Sequence, residues 1–233
     1  MARQERAIRT RRVILEAAAA VFGERGYEAA TISDVLERAE VTKGALYFHF
    51  PSKEDLARGV LDEAVTTEGV RPQSIKLQEL VDVMLLIAYR LPREPMLSAA
   101  LRLAVDLESR RLFGTRWPDW TELLAGLLRE ARERGETHQH IDETEVARIM
   151  VCAWTGVRVV TEGLPEEYDL PREIATTFQM LLPSIAVPTV LARLDVTADR
   201  ATRLFTNLTE DRRKEEMDAE PSTGAGTGTG ISG

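Results

Sequence analysis

Three hydroxyl residues, Thr31, Thr42 and Ser52, divide the segment TISDVLERAEVTKGALYFHFPSKEDL into helices too short to hold a core without one another. Each stands where a helix needs its N-cap, because a Ser or Thr oxygen accepts from the free amides of the first turn. Asp34 follows Thr31, and Asp55 follows Ser52, at the spacing of a capping box. Ile32, Val35 and Leu36 make an apolar i, i+3, i+4 face on the first of these helices. The pattern breaks at Ala39-Glu40-Val41 and Thr42 restarts it, predicting a second helix over about 43–48 and a third over 52–65. Two helices of about two turns joined by three or four residues are the layout of a helix-turn-helix.

The second helix carries the chemistry. Lys43 and Gly44 fall in its first turn, where a recognition helix meets base edges and phosphates. Gly44 has no side chain to hold the backbone off a duplex, and Lys43 brings a mobile positive charge to a guanine edge or a phosphate. Ala45, Leu46 and Phe48 are expected to face inward, with Tyr47 and His49 outward. Lys53, in the first turn of the third helix, is placed for a backbone phosphate. A preceding helix over 5–25 is expected to bury Ile8, Leu15, Ala18, Ala19 and Phe22 and to end at Gly26. Five arginines, Arg3, Arg6, Arg9, Arg11 and Arg12, crowd its start, the unfavourable end for the helix dipole. That placement makes sense where arginines such as Arg9 face phosphate; a solvated arm is the plainer alternative.

The net charge of −8 argues against nucleic acid only until it is divided. Residues 1–60 hold 10 Lys/Arg against 9 Asp/Glu, a balance of +1, so the remainder carries −9. An acidic body limits non-specific binding and turns the basic end towards the duplex. A single cysteine, Cys152, excludes an internal disulfide and fits a reducing, cytoplasmic setting. No apolar run has the length of a membrane span.

Beyond residue 74 the chain reads as helices throughout: 75–91, 96–107, 117–134, 142–162 and 171–186, then a turn over 189–194 and a last helix capped by Thr197. Residues 66–74, the basic stretch 108–116 and 163–170 read as loops, and Pro183 predicts a kink. From 211 the charged run and the Gly/Thr repeat predict a disordered tail. No segment alternates long enough to be a strand. The fold class is therefore all-α: a head over 1–51, a connecting helix over 52–66, a helical body over 67–210 and the tail over 211–233.

The run VTKGALYFHFPSKEDL, with Thr31, Thr42, Lys43, Gly44, Tyr47, His49 and Lys53 in place, resembles the DNA-binding segment of TetR-family transcriptional regulators. It is especially similar to that of the γ-butyrolactone autoregulator receptors of filamentous actinomycetes. Glu40 departs from the family pattern, which usually has Gly at this turn; a positive φ there costs a non-glycine residue about 1 kcal/mol.

The resemblance implies a homodimer on a pseudo-palindromic double-stranded operator, acting as a repressor and released by a small lactone-like signal. A receptor-like regulator answering to an antibiotic, or to no ligand, is the alternative. Residues 143–162 and 171–186 have apolar surface to spare and are expected to form a four-helix dimer interface. Helices 75–91, 96–107 and 117–134 are expected to enclose an apolar cavity. In the receptor group a tryptophan of this helix region lines the ligand pocket, and Trp120 matches it. Thr161 is the candidate polar partner, with Met84, Leu85 and Ala88 as further lining, and Trp154 a second aromatic. The connecting helix is expected to touch the recognition unit at one end and the cavity at the other. Catalysis is not expected: His49, His138 and His140 lie in no nucleophile motif, and the pair at 138 and 140 lacks a metal-ligand pattern. No cofactor, metal or membrane partner is expected.

Overall fold

The first three helices of the computed structural model, which describes residues 2–163 and 169–219, close on one another at their apolar faces. They are α1 (Ala2–Ala29), α2 (Ile32–Ala39) and α3 (Lys43–His49). The caps are those expected. The Thr31 hydroxyl accepts from the Asp34 amide at 3.1 Å while the Asp34 carboxylate accepts from the Thr31 amide at 2.9 Å. Thr42 Oγ1 accepts from the Ala45 amide at 3.2 Å, and Ser52 Oγ accepts from the Asp55 amide at 3.0 Å. Glu40, between α2 and α3, takes the left-handed conformation with φ 52° and ψ 38°. Gly26 breaks α1 at φ 75°, as expected, though helical geometry resumes after it through Ala29.

Two expectations about the head's packing are corrected. Ile8 is 61% exposed, because the first turns of α1 project past the packed core, whose burial begins at Ile14. Phe48 is 80% exposed, and the inward aromatic is Phe50 at the C-cap of α3. Leu46 and Phe50, four residues apart, share the buried face and turn Tyr47 and Phe48 outward.

Helix α4 (Lys53–Asp62) packs against α1 of the head. A Cβ at Gly59 would lie 2.9 Å from Leu15 Cδ2 and 3.0 Å from Phe50 Cε1, so backbone and side chains interlock there. It ends at Asp62, three residues before the expected limit.

The body consists of α5 (Lys76–Arg90), α6 (Pro95–Val105), α7 (Leu107–Phe113), α8 (Trp117–Glu133), α9 (Glu143–Glu162), α10 (Leu170–Leu181), α11 (Pro188–Leu191) and α12 (Ala198–Ala219). Helix α5 is its axis, buried along nearly its whole length and packed against α8, α10 and α12. Its first amides are capped from afar: the Glu136 carboxylate accepts from the amides of Lys76 and Leu77 at 2.9 and 2.8 Å. Asp82, fully buried on α5, accepts from Arg200 Nη2 of α12 at 2.6 Å and from Gln78 Nε2 at 2.8 Å.

Three further expectations change. Residues 107–113 form a helix rather than a loop, because Asp106 caps them by accepting from the Ser109 amide at 2.8 Å. Pro183 does not kink a continuous helix; α10 stops at Leu181 and the chain tightens into a 3₁₀ turn over Leu182–Ser184. The last helix runs on to Ala219, so the tail cannot begin at 211. Asp211 pairs with Arg71 at 2.6 Å, and Arg212 pairs with Glu68 at 2.8 Å. Residues 220–233 lie outside the described part. Among the described residues there is no strand, only an isolated bridge between Thr137 and Ala186, and no helix is long and apolar enough to cross a membrane.

Candidate nucleic-acid interface and ligand cavity

The outer face of α3 presents Thr42, Lys43, Gly44, Tyr47 and Phe48 to solvent, with His49 half-buried beside them. A Cβ built on Gly44 meets nothing within 4 Å, so protein packing gives no reason for a glycine there. Lys43 Nζ rests 5.8 Å from the Tyr47 ring centroid, and Phe48 meets His49 edge-on at 5.0 Å. An exposed phenyl ring beside a lysine, on a helix capped to project its N-terminus, suits a thymine methyl as well as any protein contact. Arg9 is exposed, and among the described residues no carboxylate pairs with it or with Lys43, whereas Arg12 is held by Glu16 at 2.9 Å. Thr31 and Thr42 each commit a hydroxyl oxygen to a helix cap. The Thr31 hydroxyl and amide hold the Asp34 carboxyl below the usual carboxylate range. Lys53 Nζ sits 4.3 Å over the Tyr27 ring and donates to the Glu28 carbonyl at 3.3 Å. Burial, with Glu54 alongside, pushes the Tyr27 hydroxyl up to about 12.

In the body, α5, α6, α8 and α9 line a small apolar cavity of about 30 Å³ that opens to solvent. Met84 and Ile87 come from α5, Leu101 and Ala104 from α6, Trp117 and Trp120 from α8, and Val151, Trp154, Thr155 and Arg158 from α9. Trp120 and Met84 are therefore in the wall. Leu85 and Ala88 are not; each sits about 100° further round α5 from a lining residue and is sealed in the core. Thr161 is also not in the wall: it lies beyond the end of the cavity, its hydroxyl donating to the Val157 carbonyl at 2.7 Å. The polar groups α9 brings to the wall are Thr155 and Arg158, which continue the stripe set by Val151 and Trp154. Trp154 donates its Nε1 hydrogen to the Met84 carbonyl at 3.2 Å, joining two walls.

The connection from cavity to head differs from expectation. No residue of α4 lines the cavity; α4 packs instead against α6, which does. Helix α6 is two-sided: Leu101 and Ala104 face the cavity, while Arg102 donates to the Gly23 carbonyl of α1 at 2.6 Å. Helix α7 presses Phe113 edge-on to Tyr27 at 4.8 Å, with Arg58 of α4 beside the same ring. Helix α4 packs along α6, and Asp62 in its last turn is ion-paired to the wall residue Arg116.

On the opposite side of α9 from the cavity, Ile149, Cys152, Gly156, Val159 and Val160 form an exposed stripe of small and apolar residues. Met180 of α10 is 78% exposed. Elsewhere, the rings of His138 and His140 stack at 5.5 Å, and no cluster of metal-binding side chains occurs among the described residues.

Comparison with known proteins agrees with this geometry. Residues 14–60 match the model of bacterial regulatory proteins of the tetR family, and residues 74–188 match a tetracyclin repressor-like C-terminal domain. The A-factor receptor protein of Streptomyces griseus is 40% identical over 220 residues, covering 94% of this chain and 78% of that protein. The crystal structure of native TylP, a TetR regulator from Streptomyces fradiae, superposes with a TM-score of 0.79 at 39% identity, covering 87% of this chain and 99% of that one. A γ-butyrolactone receptor described as ArpA-like gives a TM-score of 0.66 at 34% identity, covering 88% and 99%.

Proposed function

The chain belongs to the tetR family of bacterial regulatory proteins, and on that premise we propose that it is a repressor freed from its operator by a small lactone of the γ-butyrolactone type. It is a DNA-binding regulator and not an enzyme. Regulators of this family bind operator DNA as dimers. The observation that carries the reading is the double role of α6, whose one face walls the cavity while its other face is bonded to α1 of the head. The receptor proteins among its relatives support the choice of ligand class, as does the apolar wall with Trp120 in it. Its proposed targets are genes of secondary metabolism, antibiotic production among them.

In the proposed dimer, the α9 stripe and α10 pack against their copies about a two-fold axis. The open space at Gly156 lets two helices approach closely. Two heads then read half-sites about one helical turn, ~34 Å, or a multiple apart. Arg9, Lys43 and Lys53 take phosphates, while Gly44, Tyr47 and Phe48 meet base edges, with His49 at their margin. A ligand shifts this equilibrium only if it binds the DNA-incompetent arrangement better than the competent one. A lactone wedged between Trp120 and Leu101 displaces α6, and α1 with it, which changes the separation of the two recognition helices.

An operator gel shift with titrated γ-butyrolactone tests the proposal. Complexes should dissociate as the lactone saturates, and Trp120→Ala should need far more lactone. Complexes of wild-type protein that persist at saturation would show that another ligand, or none, governs this regulator.

A further inference from the structure

Arg158 is the one side chain in the cavity wall that is both charged and almost wholly buried, at 2% exposure. Its Nη1 donates to the Leu101 carbonyl at 3.0 Å and its Nη2 to Glu162 Oε1 at 2.7 Å. Its Nε–H has no partner and no access to solvent. Two neighbouring polar groups are already engaged, whereas the Thr155 hydroxyl in the same wall is not. Trp154 Nε1 is bonded to Met84, and Arg116 is held by Asp62 and Asp119. A buried N–H without an acceptor is a standing cost to the fold, and such groups mark places where another molecule supplies the missing atom.

We infer that Arg158 Nε–H is the donor that takes the carbonyl oxygen of the ligand, and that the ligand is a neutral carbonyl compound rather than a carboxylate. This assignment rests on the lactone reading of the cavity and deepens it. Charge decides between the two ligand classes. The Arg158 guanidinium is already balanced by Glu162, and Arg116 by two aspartates, so a carboxylate would bring an unbalanced charge into an apolar wall. One free N–H asks for one neutral acceptor. Position gives this contact a consequence for the head. The same guanidinium holds the backbone of α6 at Leu101, so a ligand oxygen drawn to Nε bears on the helix that is bonded to α1.

The test is calorimetric titration of the full chain with two probes of one skeleton. One is an alkyl-substituted γ-butyrolactone, and the other is the tetrahydrofuran with CH₂ in place of the carbonyl. Wild-type protein should prefer the lactone about tenfold or more. Arg158→Lys keeps a cation near Glu162 but removes the Nε–H, and should cut that preference to about twofold while moving the affinity for the ether by no more than that. Equal loss of both probes would mean that Arg158 only supports the wall, and the assignment falls. Equal binding of both probes by wild-type protein overturns this assignment alone and leaves the lactone reading standing. Binding of neither overturns the lactone reading and this assignment with it. Should the lysine variant fail to fold, the infrared carbonyl stretch of the lactone bound to wild-type protein decides. A stretch at the value for hydrocarbon solvent overturns the assignment, and one well below it supports the donor.

Discussion

Arg116, a wall residue of the cavity, is ion-paired to Asp62 in the last turn of α4. Gly59 interlocks α4 with Leu15 and Phe50, so this pair joins the cavity to the head as a unit rather than to a loose helix. Asp62 is largely exposed, and removing it opens no core. Asp62→Ala is expected to change the melting free energy by less than about 0.5 kcal/mol. It should also lower the ratio of operator affinities without and with ligand about fivefold, or about 1 kcal/mol of coupling. Fluorescence anisotropy on labelled operator, with and without ligand, measures that ratio; an unchanged ratio rules the pair out as a link.

Gly44 separates two kinds of explanation for a glycine in a helix. Its Cβ position is empty, so Gly44→Ala should raise stability, by up to about 1 kcal/mol, through helix propensity alone. The same methyl group would stand between α3 and the duplex. Operator affinity should therefore fall by about tenfold or more. Thermal melts paired with anisotropy check both signs, and a loss of stability would return Gly44 to a packing role.

Phe48 and Phe50 make a matched pair. Phe48→Ala removes an exposed ring and should leave stability within about 0.5 kcal/mol while weakening operator binding. Phe50→Ala empties a site against Gly59 and should cost about 3–5 kcal/mol. Urea denaturation curves of the two variants, compared at equal slope, test the assignment of faces.

The cluster that docks the second half of α12 predicts a pH dependence. Hydrogen bonds from Arg212, aided by the nearby charge of Arg90, hold the Glu68 carboxyl below the usual carboxylate range. A carboxyl whose folded value is depressed stabilises the fold fully above its unfolded value, roughly 4.3, and loses that contribution as pH falls through the lower folded value. Glu68→Gln should therefore lower the melting temperature at pH 7 and have little effect near pH 3. An equal loss at both values would mean that shape rather than charge holds the segment.

The parts of this molecule that were legible in the sequence are those whose partners lie within one turn of chain. Thr31 and Asp34, Thr42 and Ala45, and Ser52 and Asp55 each close a cap over three residues, so the head could be traced from its punctuation. Glu40 was legible for the same reason, as a turn residue. Phe48 faces outward against the expected pattern because a seven-residue helix offers too few positions to fix its rotational phase, and the deciding residue, Phe50, stands outside it. The amides at the start of α5 find their acceptor on Glu136, about sixty residues on, which no local pattern announces. Between Val83 and Ala88, helix α5 is apolar on every side, so periodicity cannot choose Met84 and Ile87 over Leu85 and Ala88 as cavity wall. Thr161 lies one turn past Arg158 on α9. Which of the two the cavity reaches depends on where α6 crosses, and that is a property of the packed molecule.

The bond between Asp82 and Arg200 spans 118 residues and has a bearing on synthesis. The head's caps, and its Gly59 interlock with Leu15 and Phe50, close within the first 62 residues, so the nascent chain holds them early. Asp82 emerges soon afterwards into an axis helix with no cation to meet it, and waits for more than a hundred further residues to be added. Domains generally fold as units, the N-terminal one first. A ribosome stalled short of Arg200 would thus carry a head with its internal contacts complete, tethered to a body whose central carboxylate has no counterion.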